Sequence, residues 1–102
     1  MTESAQNVPS ISTFDLEQKL MNGIKLIDVR EPSEFQEGHI KNAENFPLGD
    51  IYQYQGNPKE KLYVICRSGR RSLQATEILR KHGYDAINVL GKMLNWHGEI
   101  VT

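Results

Sequence analysis

The stretch LYVICRSGRRSLQATEILRKHG, Leu62 to Gly83, decides how this chain folds. Its first residues, LYVIC, are nearly all apolar and rich in β-branched and aromatic side chains, the composition of a central strand covered on both faces. Cys66 is expected as the last residue of that strand. From Arg70 to His82, Leu73, Thr76, Ile78 and Leu79 recur at helical spacing, and His82-Gly83 supplies a helix C-terminus. Between strand and helix lies CRSGRRS, Cys66 to Ser72, at the junction where open α/β sheets bind ligands.

Working outward, the same alternation continues. KLIDV, Lys25 to Val29, reads as a strand, and Pro32 fits the first turn of a short helix through Phe35 to Glu37 that Gly38 stops. TFDLEQKL, Thr13 to Leu20, is one short amphipathic helix ended by Asn22-Gly23. Ala43 to Phe46 is extended, and Ile51 to Tyr54 forms a brief helical stretch closed by Gly56-Asn57-Pro58. AINVL, Ala86 to Leu90, is a further buried strand, after which Gly91 leads into a final short helix with Met93, Leu94 and Trp96. Strand and helix in this rhythm predict a mostly parallel sheet with helices on its two faces. Residues 1 to 10 are polar and aperiodic, a loose lead-in to a single domain spanning 11 to 102.

Composition narrows the function. The 102 residues are 38% hydrophobic and 25% charged, with 12 Lys+Arg against 13 Asp+Glu, enough for one core and one site. A net charge of -1 argues against general nucleic-acid binding, which needs a basic excess. No segment approaches the ~20 apolar residues of a membrane span, and MTESAQNVPS has neither a basic start nor an apolar run, so a cytoplasmic protein without a membrane partner is expected. The lone Cys66 excludes an internal disulfide and an all-cysteine metal cage, and His39, His82 and His97 have no metal-ligand spacing. Neither a metal nor another cofactor is expected.

The loop itself carries the chemistry. Its backbone N–H groups, with those of the following helix's first turn, can curl around one point as an anion cradle. Gly69 permits the backbone angles such a curl needs, and Arg67, Arg70 and Arg71 surround it with positive charge. These surroundings favour thiolate over thiol at Cys66, making a nucleophile at neutral pH without a histidine base. Arg30 with Glu34 is read as a structural ion pair, and Trp96, Met93, Phe35 and Phe46 as core closure.

The interval from Cys66 to Arg71 resembles the thiolate-arginine loop shared by sulfurtransferases and cysteine phosphatases. The chain as a whole closely resembles the rhodanese family in its single-domain bacterial form, over about Ile11 to Trp96. The resemblance rests on the six-residue loop Cys66 to Arg71, on LIDVREPSEFQEGHIKNAENFP from Leu26 to Pro47, and on VLGKMLNW from Val89 to Trp96. Lys92 departs from it, standing where many relatives have a second glycine. Related dual-specificity phosphatases have a loop one residue longer, so a phosphatase or arsenate reductase is the rival enzyme class.

The resemblance implies a three-layer α/β/α fold around a mostly parallel sheet of about five strands. It also implies double displacement: Cys66 takes the outer sulfur of a small anionic donor, thiosulfate or a persulfide, and yields it to a thiol, a protein acceptor or cyanide. The backbone of Arg67, Ser68, Gly69, Arg70, Arg71 and Ser72 would hold the persulfide. Arg67 and Arg70 would face outward to receive the donor, Arg71 would brace the loop, Asp28 would support it by pairing with Arg71, and His39 would be a packing and hydrogen-bonding residue remote from Cys66. The non-enzyme alternative is a sulfur-carrier or sensing module serving one protein partner.

Overall fold

Ser12 starts the first helix in the way a hydroxyl can, its Oγ accepting from Asp15 N at 3.0 Å. In the computed structural model, which describes residues 8–67, 69–90, 96 and 98–102, this helix is α1, Thr13–Leu20. Gly23, at φ 72, makes the left-handed turn that brings the chain into the next strand. The strands preceding and following are β1, Ser10–Ile11, and β2, Lys25–Asp28. Pro32 opens α2, Pro32–Glu37, where Glu31 and Glu34 form a capping box, and Gly38 ends it.

The chain then forms β3 (His39–Ile40), β4 (Glu44–Asn45) and a 3₁₀ helix at Leu48–Gln53, which corrects the expected Ile51 to Tyr54 boundaries. The central strand β5, Lys61–Ile65, stops one residue short of expectation, and Cys66 is the first residue beyond it. The long helix α3 is Arg70–Lys81, capped by His82, and β6 is Asp85–Val89. Of the expected final helix with Met93, Leu94 and Trp96, only Trp96 is described; residues 91–95, His97 and Ser68 lie outside the described residues.

Five strands form one parallel sheet in the order β1-β6-β5-β2-β4, as the alternation of strands and helices requires. Two features were not anticipated. Ser10 of the expected lead-in pairs with Asn88, making β1 an edge strand. A last strand, β7 (Ile100–Val101), pairs antiparallel with β3.

Period-two alternation sorts the strand residues between two cores. Ile27, Leu62, Val64, Cys66 and Ala86 pack with Ile51 of the 3₁₀ helix and with Ala75 and Leu79 of α3. Leu26, Tyr63, Ile65, Ile87 and Val89 pack on the other face with Leu16 of α1 and Ile40, against which Trp96 is partly buried. Because every strand of the main sheet runs the same way, Asp28, Asn45, Ile65 and Val89 reach one rim together, and the loop after β5 opens there. No helix among the described residues is long and apolar enough to cross a membrane.

Candidate active site

The site is built on a change of structure over a few residues. Cys66 leaves β5, and α3 begins at Arg70, so the chain must reverse between them. Gly69 makes this possible at φ 95, and a Cβ built there would meet no atom within 4 Å, so the requirement is conformational rather than steric. The reversal directs two backbone donors at one sulfur. Gly69 N–H donates to Cys66 Sγ at 3.0 Å, and Ser72 N–H at 3.2 Å.

Cys66 lies beneath this loop, fully buried. Two N–H donors and the N-terminal end of a 12-residue helix converge on its sulfur. Such convergent donors suit a sulfur that carries negative charge before and after it reacts. The loop is tightened by Ser72 Oγ, which donates to Gly69 O at 3.2 Å, and by Thr76 Oγ1, which donates to Ser72 O at 2.7 Å.

The three arginines divide by position. Arg67 and Arg70 are exposed. Arg71 is half-buried and reaches across to α2, where its Nη1 donates to Glu34 Oε1 at 2.6 Å and its Nη2 to Oε2 at 3.1 Å. The Arg71 hydrogen bonds hold the Glu34 carboxyl down to about 2, with help from its hydrogen bond from Glu31 N–H. Reciprocally, Glu34 pushes Arg71 above its usual range.

This geometry corrects both ion pairs expected from sequence. Asp28 pairs with Arg30 rather than with Arg71, and Arg30 acts on Glu34 only as a minor charge attraction without a direct ion pair. Instead Arg30 Nε donates to both oxygens of Asp28 at 2.9 Å, and Nη2 to Oδ2 at 2.8 Å, while the Arg30 backbone N–H adds a bond to Oδ1 at 3.0 Å. Arg30 Nη2 also donates to Gly38 O at 2.7 Å, tying the end of β2 to the end of α2. The physical reason is the placement of α2. Glu34, in the first turn of α2, comes within side-chain reach of Arg71 in the first turn of α3, while the Asp28 carboxylate turns back to a guanidinium two residues on.

Asp28 therefore supports the rim but not through the loop arginine. Asn45 Nδ2 completes that rim by donating to Asp28 O at 2.9 Å and Arg30 O at 3.0 Å. His39 stacks on Phe35 with ring centroids 3.6 Å apart, and its Nδ1 lies 2.8 Å from Phe35 O, the packing role expected of it. Glu34 is the site residue that sequence reading missed. The capping-box pattern shows that its carboxylate folds back over the start of α2, but not that another helix lies there. No cluster of three or more His, Cys, Asp or Glu side chains suited to a metal occurs among the described residues.

A sequence model of the Rhodanese-like domain matches residues 12–99. Among curated proteins, the Bacillus subtilis protein YtwF, provisionally named a sulfurtransferase, is 41% identical over 96 residues, covering 90% of this chain and 93% of YtwF. YrkF of the same organism, provisionally named a sulfur carrier protein, is 34% identical over 103 residues. That match covers 96% of this chain but 56% of YrkF, so the chain spans little more than half of this relative. Among solved structures, a rhodanese-like domain protein from Staphylococcus aureus superposes with a TM-score of 0.84 at 35% identity, over 90% of this chain and 94% of that one.

Proposed function

The chain belongs to the rhodanese-like domain family, and from that premise we propose that it transfers sulfane sulfur from an anionic donor to a thiol through a Cys66 persulfide. The observation that carries the reading is the pair of N–H donors from Gly69 and Ser72 meeting at Sγ. With thiosulfate as donor, the Cys66 thiolate attacks the outer sulfur, the S–S bond of thiosulfate breaks, and sulfite leaves with the bonding pair. Cys66-S-S⁻ remains. An acceptor thiolate then attacks the outer sulfur, forming its own persulfide and returning Cys66 as thiolate; cyanide attacking in the same way leaves as thiocyanate.

Each step moves one sulfur and conserves charge, so neither a metal nor an external redox partner is required. The exposed Arg67 and Arg70 draw the anionic donor to the mouth, and the amides around Sγ hold negative charge on whichever sulfur carries it. With no other cysteine in the chain, the persulfide has no internal thiol to resolve it and must be discharged to an outside acceptor.

Incubation with thiosulfate, followed by intact mass measurement, should show a gain of one sulfur, about 32 Da, that cyanide removes. Absence of that adduct with thiosulfate and with small persulfides would overturn the reading. A second reading, in which the same persulfide serves one protein acceptor as a sulfur carrier, is favoured by the similarity to YrkF. It predicts turnover with small thiols no faster than that of Cys66→Ala, alongside rapid transfer to that protein.

A further inference from the structure

We propose that Glu34 is a positioning residue for Cys66: acting through Arg71, its carboxylate holds the first turn of α3 where the Gly69 and Ser72 N–H groups meet the sulfur. The inference deepens the reading of Cys66 as nucleophile and rests on it.

The contacts form a continuous path. On the α2 side, Glu34 Oε1 is held by Glu31 N–H at 2.9 Å, so the carboxylate is fixed to the start of its own helix. On the α3 side, both oxygens grip Arg71 in the two-point fashion that restricts a guanidinium in angle as well as distance. Arg71 is the second residue of α3 and the immediate neighbour of Ser72, whose N–H points at Sγ. A rotation of this turn that freed Arg71 would carry the Ser72 donor with it. Gly69 would follow, because its carbonyl accepts from both Ser72 Oγ at 3.2 Å and Leu73 N–H at 3.2 Å.

Charge runs along the same path. Glu34 holds Arg71 above its usual range, first through their hydrogen bond and then through its charge, and the Cys66 sulfur adds a smaller electrostatic contribution. Two roles for Glu34 therefore make opposite predictions. A positioner keeps donors and positive charge near the sulfur, and its loss makes the thiolate harder to form. A mere countercharge cancels part of Arg71, and its loss makes the thiolate easier to form.

The experiment reads Cys66 directly, by its alkylation with iodoacetamide across pH in the full chain. It needs no sulfur donor, so failure of sulfur transfer and failure of this inference are separate results. The midpoint is read because access of the reagent sets the plateau rate, while any relief of burial would lower the midpoint, opposite to the rise expected here. In Glu34→Ala the midpoint should rise by about one pH unit, a roughly tenfold slower reaction well below it. Arg71→Ala should rise at least as far, and Glu34→Ala/Arg71→Ala no further than Arg71→Ala. Glu31→Ala, which disturbs the α2 cap but leaves Glu34 on Arg71, should not move it. If Glu34→Ala does not fold, Glu34→Gln, which retains an acceptor for Glu31 N–H, carries the same expectation. A midpoint that stays or falls, or shifts that add in the double variant, would overturn the proposal.

Discussion

Two arginine–carboxylate pairs flank the end of β2, and they do different work. Asp28 and Arg30 are two residues apart and lie in the protein interior, with side chains 0% and 8% exposed. Glu34 and Arg71 are 37 residues apart and about a quarter exposed, at 27% and 29%. The buried pair satisfies groups that the rim would otherwise leave unpaired, and binds β2 to the end of α2. The half-buried pair joins two helices and ends beside the nucleophile. Burial and proximity make the first pair a matter of stability, whereas span and placement make the second a matter of site geometry.

The largest effect should come from breaking the buried pair on one side only. Asp28→Ala leaves the Arg30 charge in the interior without its partner and should cost about 3–5 kcal/mol in urea unfolding. In whatever fraction remains folded, the pH midpoint of Cys66 alkylation should stay near that of the parent. A cost below about 1 kcal/mol would show that water reaches Arg30 and that the contrast in burial is misdrawn.

Arg71→Ala sharpens the contrast from the other side. It should lower persulfide yield and kcat by about tenfold or more, equivalent to ~1.4 kcal/mol of transition-state stabilisation, with a smaller loss of folding stability. A loss confined to donor KM would place Arg71 among the donor-binding residues and separate it from the loop.

Acid titration tests the second pair without mutation. The Glu34 carboxyl is lowered from 4.5 to about 2 in the folded chain, so its contribution is complete above the unfolded value and is lost as pH falls towards 2. Allowing for partial exposure, that contribution should be on the order of 1–2 kcal/mol. Comparing urea unfolding of the parent and Glu34→Gln at pH 7 and pH 3 should show their difference shrinking in acid. A gap that is constant or widens would contradict the assigned pairing.

The smallest effect belongs to the exposed mouth. Arg67→Ala should raise thiosulfate KM a few-fold, under ~1 kcal/mol, with kcat unchanged, and high salt should reduce the gap between variant and parent. Equal losses in kcat and KM for Arg67→Ala and Arg71→Ala would erase the distinction between mouth and floor.

Much of the fold could be read from local pattern. α1 and α2 begin and end close to where Thr13, Asn22-Gly23, Pro32 and Gly38 indicate, because capping and breaking depend on residues within one turn. The loop was legible for the same reason, since a glycine between a buried strand and an amphipathic helix can only be accommodated by a tight reversal. Of the two-residue strands only β4 was, within the extended Ala43 to Phe46. β1, β3 and β7 are too short for periodicity to show, and they exist because an edge or partner lies beside them.

The pairing of charges marks the limit more sharply. Sequence alone determined that Cys66 would sit at a strand end, under backbone donors, with arginines close by, because each of these follows from spacing along a few residues. Which carboxylate meets which arginine was decided only by tertiary structure. Asp28, Glu34, Arg30 and Arg71 have matching charges and similar reach, so either pairing satisfies the sequence. The placement of α2, whose Glu34 reaches the start of α3, removes that degeneracy, leaving Arg30 to Asp28 and bringing Glu34 to the arginine beside the sulfur.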